Sequence, residues 1–259
     1  MYDIREGNIK DIDIQEFFQF LSSYCKKSIN VFNVDHVSIS HLTTRLSLES
    51  ITNEPLYNLS NTLINDTELS RFCCNEGLVF TKEKKTVKVI YNGEKVNWKE
   101  YDTPIAQMII NRLEGNRVWK TSDNCINGFL FYGKIYENDN VRHILRVPEI
   151  LDNIFMVLGK QKVISEYVEN SKPYVITFKV PISDIVFDEN GNHELNNKQK
   201  KFLLLKYCLY YLSMKFFNEW SENDNPIIRL NDSMDIDNNN LSSIYEVNVN
   251  EGKLNKLDV

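Results

Sequence analysis

Short strand-like alternations and short helical periodicities interleave along this chain, and neither an internal repeat nor a Pro- or Ser-rich linker divides them. An order of that kind suits neither a pure helix bundle nor a pure sandwich, and it points to one mixed layer architecture. The clearest strand is residues 174–180 (YVITFKV), followed by a polar turn over residues 188–192. Residues 33–40 (NVDHVSIS) alternate in the same way, and Asn92-Gly93 marks a hairpin with strands over 86–91 and 94–98. Residues 126–136 (INGFLFYGKIY) read as a strand or a strand pair through Gly133, and residues 226–230, 233–236 and 243–249 as terminal strands. Helical periodicity falls over residues 12–27, 103–113, 147–158 and 198–220, with Pro104 and Pro148 suited to first turns. The last of these is the longest, and its aromatic load, from Phe202 to Trp220, reads as a central core helix. Asp66 or Thr67 suits a helix N-cap, but Ser70 stands where a full capping box from Thr67 has Glu or Gln.

The expected fold is therefore a single α+β domain over residues 31–250, after an N-terminal helical segment (1–30) and before a frayed tail (251–259). A chain of 259 residues can bury a substantial core, and 42% hydrophobic with 25% charged residues is a globular mix rather than a disordered one. Thirty basic against 36 acidic residues, a charge of −6, argue against a general nucleic-acid coat protein. The apolar stretch over 202–217 is interrupted by Lys206, Ser213 and Lys215, so no membrane span is expected. No secretory signal is visible at the start. Five scattered cysteines without a CxxC pair suit reduced thiols in a cytoplasmic protein, and no metal site is expected.

The chemistry-bearing candidate is His41, at the end of the first alternating strand in Ser40-His41-Leu42-Thr43-Thr44-Arg45. A neutral imidazole offers one donor and one acceptor, Thr43 and Thr44 add hydroxyls, and Arg45 adds a forked cation suited to phosphate. Arg142, His143 and Arg146 form a second basic group, and Lys82, Lys84, Lys85 and Lys88 a basic edge on the hairpin. Each of these reads either as a solvated face or as a contact for nucleic-acid phosphates. His36 and His41 point to opposite faces of one strand and make a poor metal pair. Asp232, Asp235 and Asp237 lack the glycine and terminal glutamate of a calcium loop.

His-x-Thr at the end of an early strand, followed by a short helix containing Ser50-Ile51, resembles the opening of ADP-ribosyltransferase-fold proteins. Those include tRNA phosphotransferases, poly-ADP-ribosyltransferases and DNA-targeting toxins. The stretches KPYVITFKVPISDIVF and ENDNPIIRLNDSMDIDNNNLSSIYEV resemble the central and last strands of that group. The resemblance implies a central antiparallel or mixed split sheet with flanking helices, with an insertion around residues 80–115. It implies NAD as substrate, with His41 on the ribose, Tyr132 on the nicotinamide and a late carboxylate orienting the sugar. The group has that carboxylate directly before the apolar strand; here Asn225 and Pro226 stand there, with Glu222 and Asp224 just upstream. Glu222 is accordingly the catalytic candidate, with Thr43, Arg45 and Asp224 as ligand contacts. The implied activity is transfer of ADP-ribose to a protein or nucleic acid, as a bacterial or phage toxin or defence effector. The alternatives are a catalytically silent interaction module of the same fold and a nucleic-acid-binding protein.

Overall fold

The computed structural model describes residues 13–28, 34–115, 123–187 and 195–257. The polar turn expected after Phe187 and the start of the N-terminal segment lie outside them. Among the described residues, ten strands form two sheets. The larger contains β1 (His36–Arg45), β5 (Asn127–Phe129), β6 (Lys172–Pro181), β7 (Ile185–Val186), β8 (Ile227–Leu230), β9 (Leu241–Asn248) and β10 (Lys253–Leu257). Its order is β10-β9-β6-β1-β5-β8-β7, with antiparallel neighbours throughout. The smaller contains β2 (Leu78–Glu83), β3 (Thr86–Tyr91) and β4 (Glu94–Lys95). The chain is thus mixed α+β, with a large antiparallel sheet and a small one.

Strand β6 is central because Tyr174 to Phe178 are buried in succession, which requires cover on both faces. On one face Ile176 and Tyr174 pack with Ile51 of helix α2 (Glu49–Asn53). On the other, Val175 and its register partner Leu42 pack with Phe129, Ile135 and Tyr136. Strands β1 and β6 pair over ten residues, from His36↔Pro181 to Arg45↔Lys172. On its other edge β1 meets β5 at a single pair, Ser40↔Phe129. Beyond Ser40 the two strands part, and the functional side chains gather at that parting.

A separate core joins the small sheet to five helices: α3 (Leu59–Ile64), α4 (Glu68–Asn75), α5 (Pro104–Ile109), α6 (Glu149–Val157) and α7 (Gln161–Asn170). Leu78, Phe80, Val87 and Val89 meet Trp98, Ile109, Leu113, Ile150, Ile154 and Tyr167 there. The hairpin and α5, expected as an insertion, therefore share their core with helices far along the chain. The Asn92-Gly93 turn has positive φ at both residues, 50° and 88°, the geometry that a two-residue hairpin needs.

Several expectations are corrected. A capping box does form at α4: Thr67 Oγ1 accepts from Ser70 N, and Ser70 Oγ accepts from Thr67 N, serine serving where Glu or Gln is usual. The strand expected over residues 126–136 ends at Phe129, because Asn225 takes over the next position. Its Oδ1 accepts from Phe131 N at 3.0 Å and its Nδ2 donates to Phe131 O at 2.8 Å, so a side chain replaces the ladder. Residues 233–236 contribute one bridge, Leu56↔Ile236, instead of a strand. The tail expected to fray is held as β10 by five register pairs with β9.

The longest helix, α8 (Asn197–Phe216), is peripheral rather than central. It packs through Leu205 on Ile14 and Phe17 of α1 (Ile14–Cys25) and through Leu204 and Tyr207 on the main core. Leu212 and Phe216 stay 62% and 64% exposed, because apolar side chains ring this helix while only part of its circumference meets another element.

Candidate functional site

Strand β1 alternates its side chains, so His41, Thr43 and Arg45 share one face. They reach a cavity of about 360 Å³ at the parting of β1 and β5. Its apolar lining comes from both sheet faces, including Leu56 and Ile126 on one and Phe129 and Ile144 on the other. The volume lies at the low end of the roughly 300–1,000 Å³ typical of small-ligand sites, suited to a nucleoside-sized group.

His41 Nδ1 lies 2.6 Å from the carbonyl oxygen of Asn127. A carbonyl only accepts, so Nδ1 carries the proton and donates, and Nε2 keeps a free lone pair. Burial pushes the His41 pKa down to about 4; the Asn127 bond opposes that shift and the positive charge of Arg45 adds to it. The ring is consequently neutral at physiological pH. Gly128 next door lets the two strands touch: a Cβ there would run into Ile39 Cγ2 and stand 2.8 Å from the Ser40 carbonyl oxygen.

Arg45 has a buried Nε with no hydrogen-bond partner, and among the described residues no carboxylate pairs with it. A desolvated donor left open beside a cavity is costly unless something fills it. Nearby, the buried Tyr167 hydroxyl donates to the Thr44 carbonyl at 3.1 Å, tying β1 to α7, and burial pushes the phenol up to about 12.

The cavity lining also carries a charge cluster. Arg112 sits on a π-helical turn, Ile110–Glu114, that continues α5; such turns often mark functional positions. Its Nη2 donates to Glu149 Oε2 at 2.6 Å and its Nη1 to Asp123 Oδ2 at 3.3 Å. His143 Nε2 is 3.8 Å from Glu149 Oε2. Asp123 also accepts from Cys125 N and Sγ, and burial pushes the Cys125 thiol up to about 12. Among the described residues no group of three or more His, Cys, Asp or Glu is arranged to hold a metal.

The candidates from sequence divide. His41, Thr43 and Arg45 line the cavity; Tyr132, Glu222 and Asp224 do not. Tyr132 is 46% exposed and packs its ring 5.0 Å from that of Tyr245. Glu222 accepts from Trp220 Nε1 at 3.2 Å and Asn225 Nδ2 at 3.3 Å, which ties down the turn before β8. Asp224 ends that turn, exposed. Asn225, standing where the resembled group has its carboxylate, is buried and holds the Phe131 backbone.

Arg112, Asp123, Asn127 and Glu149 are among the cavity residues that the sequence did not single out. Arg112 and Glu149 are 37 residues apart and share no motif; only the core beneath α5 and α6 brings them together. Of the basic groups read as phosphate contacts, His143 reaches the cavity wall. On the hairpin, Lys88 pairs with Glu114 at 2.8 Å and Lys95 with Glu83 at 2.7 Å. Asp235 accepts from Asn58 N, Asn58 Nδ2 and Asn61 Nδ2, binding its loop to α3. No helix among the described residues is long and apolar enough to cross a membrane. In comparisons with known proteins, no family model matches the chain, and no curated protein or solved structure matches it significantly.

Proposed function

We propose that this chain is an ADP-ribosyltransferase-like enzyme that takes the nicotinamide-nucleoside half of NAD in the cavity at His41. The observation that carries the reading is the state of His41: a neutral ring with Nδ1 donating to Asn127, leaving Nε2 as an acceptor beside a cavity that Arg45 also lines, its buried Nε without a partner among the described residues. NAD supplies a ribose whose bond to a cationic ring is the one broken. His41 Nε2 accepts from a ribose hydroxyl and fixes the sugar. Arg45 donates to phosphate oxygens, for which an always-charged fork is suited. Asp123 and Glu149 carry the sign of charge that stabilises a ribose becoming positive, and Arg112 holds both in place beforehand. The acceptor is a protein or a nucleic acid.

The test is incubation with NAD labelled in its ADP-ribose part, with and without a cell lysate. The wild-type chain is expected to release nicotinamide or label a macromolecule. His41→Ala is expected to lose about 100-fold, the scale for removing one preorganised group. Absence of both release and labelling with the wild-type chain refutes the reading.

One observation supports a second reading, a catalytically silent binding module: Tyr132, Glu222 and Asp224 stand outside the cavity. It expects nucleotide binding that His41→Ala weakens, with no nicotinamide released by either protein.

A further inference from the structure

Among the described residues, the charged side chains and histidines of the cavity fall into two groups of opposite net charge. His41 and Arg45 stand on β1, while Arg112, Asp123 and Glu149 form one bonded group with His143 at its edge. Burial keeps the His41 ring neutral at physiological pH. The β1 side then carries one positive charge. The bonded group sums a guanidinium and two carboxylates, leaving one negative charge. Neither carboxylate comes within ion-pair distance of Arg45, so the two charges do not cancel by contact. Glu149 accepts from Arg112 through Oε2, its Oε1 has no hydrogen-bond partner among the described residues, and the residue lines the cavity. The cavity is half-enclosed, and there a charge interacts more strongly than in bulk water.

We infer that the cavity takes a dipolar ligand, with an anionic group at Arg45 and a cationic group at the Arg112–Asp123–Glu149 cluster. Where the ligand is a nicotinamide nucleotide, which rests on the function proposed above, the cationic group is the oxidised ring. Reduced NAD, whose ring is neutral, forfeits that attraction.

The test is equilibrium titration of the full chain with two matched pairs, above the imidazole range. One pair is oxidised and reduced NAD. The other is phosphocholine and 3,3-dimethylbutyl phosphate, which replaces the quaternary nitrogen with carbon. In each pair the cationic member is expected to bind at least about 5-fold tighter. Glu149→Gln, which keeps an acceptor for Arg112, is expected to bring both ratios within about 2-fold while leaving the neutral members unchanged. Arg45→Met is expected to weaken all four ligands. Equal binding within both pairs, or a Glu149→Gln loss shared by cationic and neutral members, overturns the inference, as does failure of all four to bind. Discrimination in the choline pair with no binding of either nicotinamide nucleotide upholds the polarity and refutes NAD as the ligand.

Discussion

Replacing His41 by Gln isolates the energetic signature of a half-buried histidine held neutral by desolvation. The glutamine amide can still donate to the Asn127 carbonyl but does not titrate. In the wild-type protein the His41 pKa falls from 6.5 to about 4 on folding. The folded value lies below the unfolded one, so as pH falls the unfolded chain takes the proton first. Stability from this group is intact above 6.5 and is lost through the window from 6.5 down to 4. The full shift corresponds to about 3 kcal/mol, and about 2 kcal/mol of it falls between pH 7 and pH 5. Urea denaturation of both proteins at those two pH values gives four free energies. Carboxylates and other histidines titrate alike in the two proteins and cancel in the difference. The wild-type advantage over His41→Gln is expected to shrink by about 2 kcal/mol on acidification. A difference constant within about 0.5 kcal/mol would refute the neutral, desolvated ring and with it the free Nε2 acceptor.

Two further outcomes follow from the same region and from the thiols. Gly128→Ala is expected to destabilise the fold by about 1–3 kcal/mol, since the new methyl meets Ile39 and the Ser40 carbonyl; an unchanged thermal midpoint would show that β1 and β5 do not approach as described. Cys25 and Cys74 are exposed, whereas burial raises the Cys73, Cys125 and Cys208 thiols. A thiol reagent is therefore expected to modify two cysteines quickly in the native protein and the other three only after denaturation, with rapid modification of Cys73 as the contrary result.

The local signals in the sequence translate directly into structure where a few neighbouring residues settle the conformation. Asn92-Gly93 turns the hairpin because both residues accept positive φ. Residues 172–181 form a strand because a continuous apolar run fits a position covered on both faces. Pro104 opens α5, where its missing N–H costs nothing. The errors arise where a partner distant in sequence decides. Asn225 ends the strand at Phe129 from 94 residues away. Pairing with β9 orders a tail whose composition gives no sign of it. The aromatic load of α8 records only that the helix is apolar, not how much of it meets a neighbour.

The same division runs through the site. The strand expected to end at residue 40 runs on to Arg45, and that continuation puts His41, Thr43 and Arg45 on one face, because side chains in a strand repeat every second residue. Whether that face meets a paired strand or an open cavity depends on β5 leaving β1 after one register pair, which no residue of β1 encodes. Arg112, Asp123 and Glu149 converge on the cavity because α5 and α6 pack into one core, and burial of apolar surface is indifferent to the sequence distance it spans. The sequence by itself determined which residue types stood ready for chemistry on β1. Tertiary packing decided which carboxylates face them and that Tyr132 and Glu222 do not.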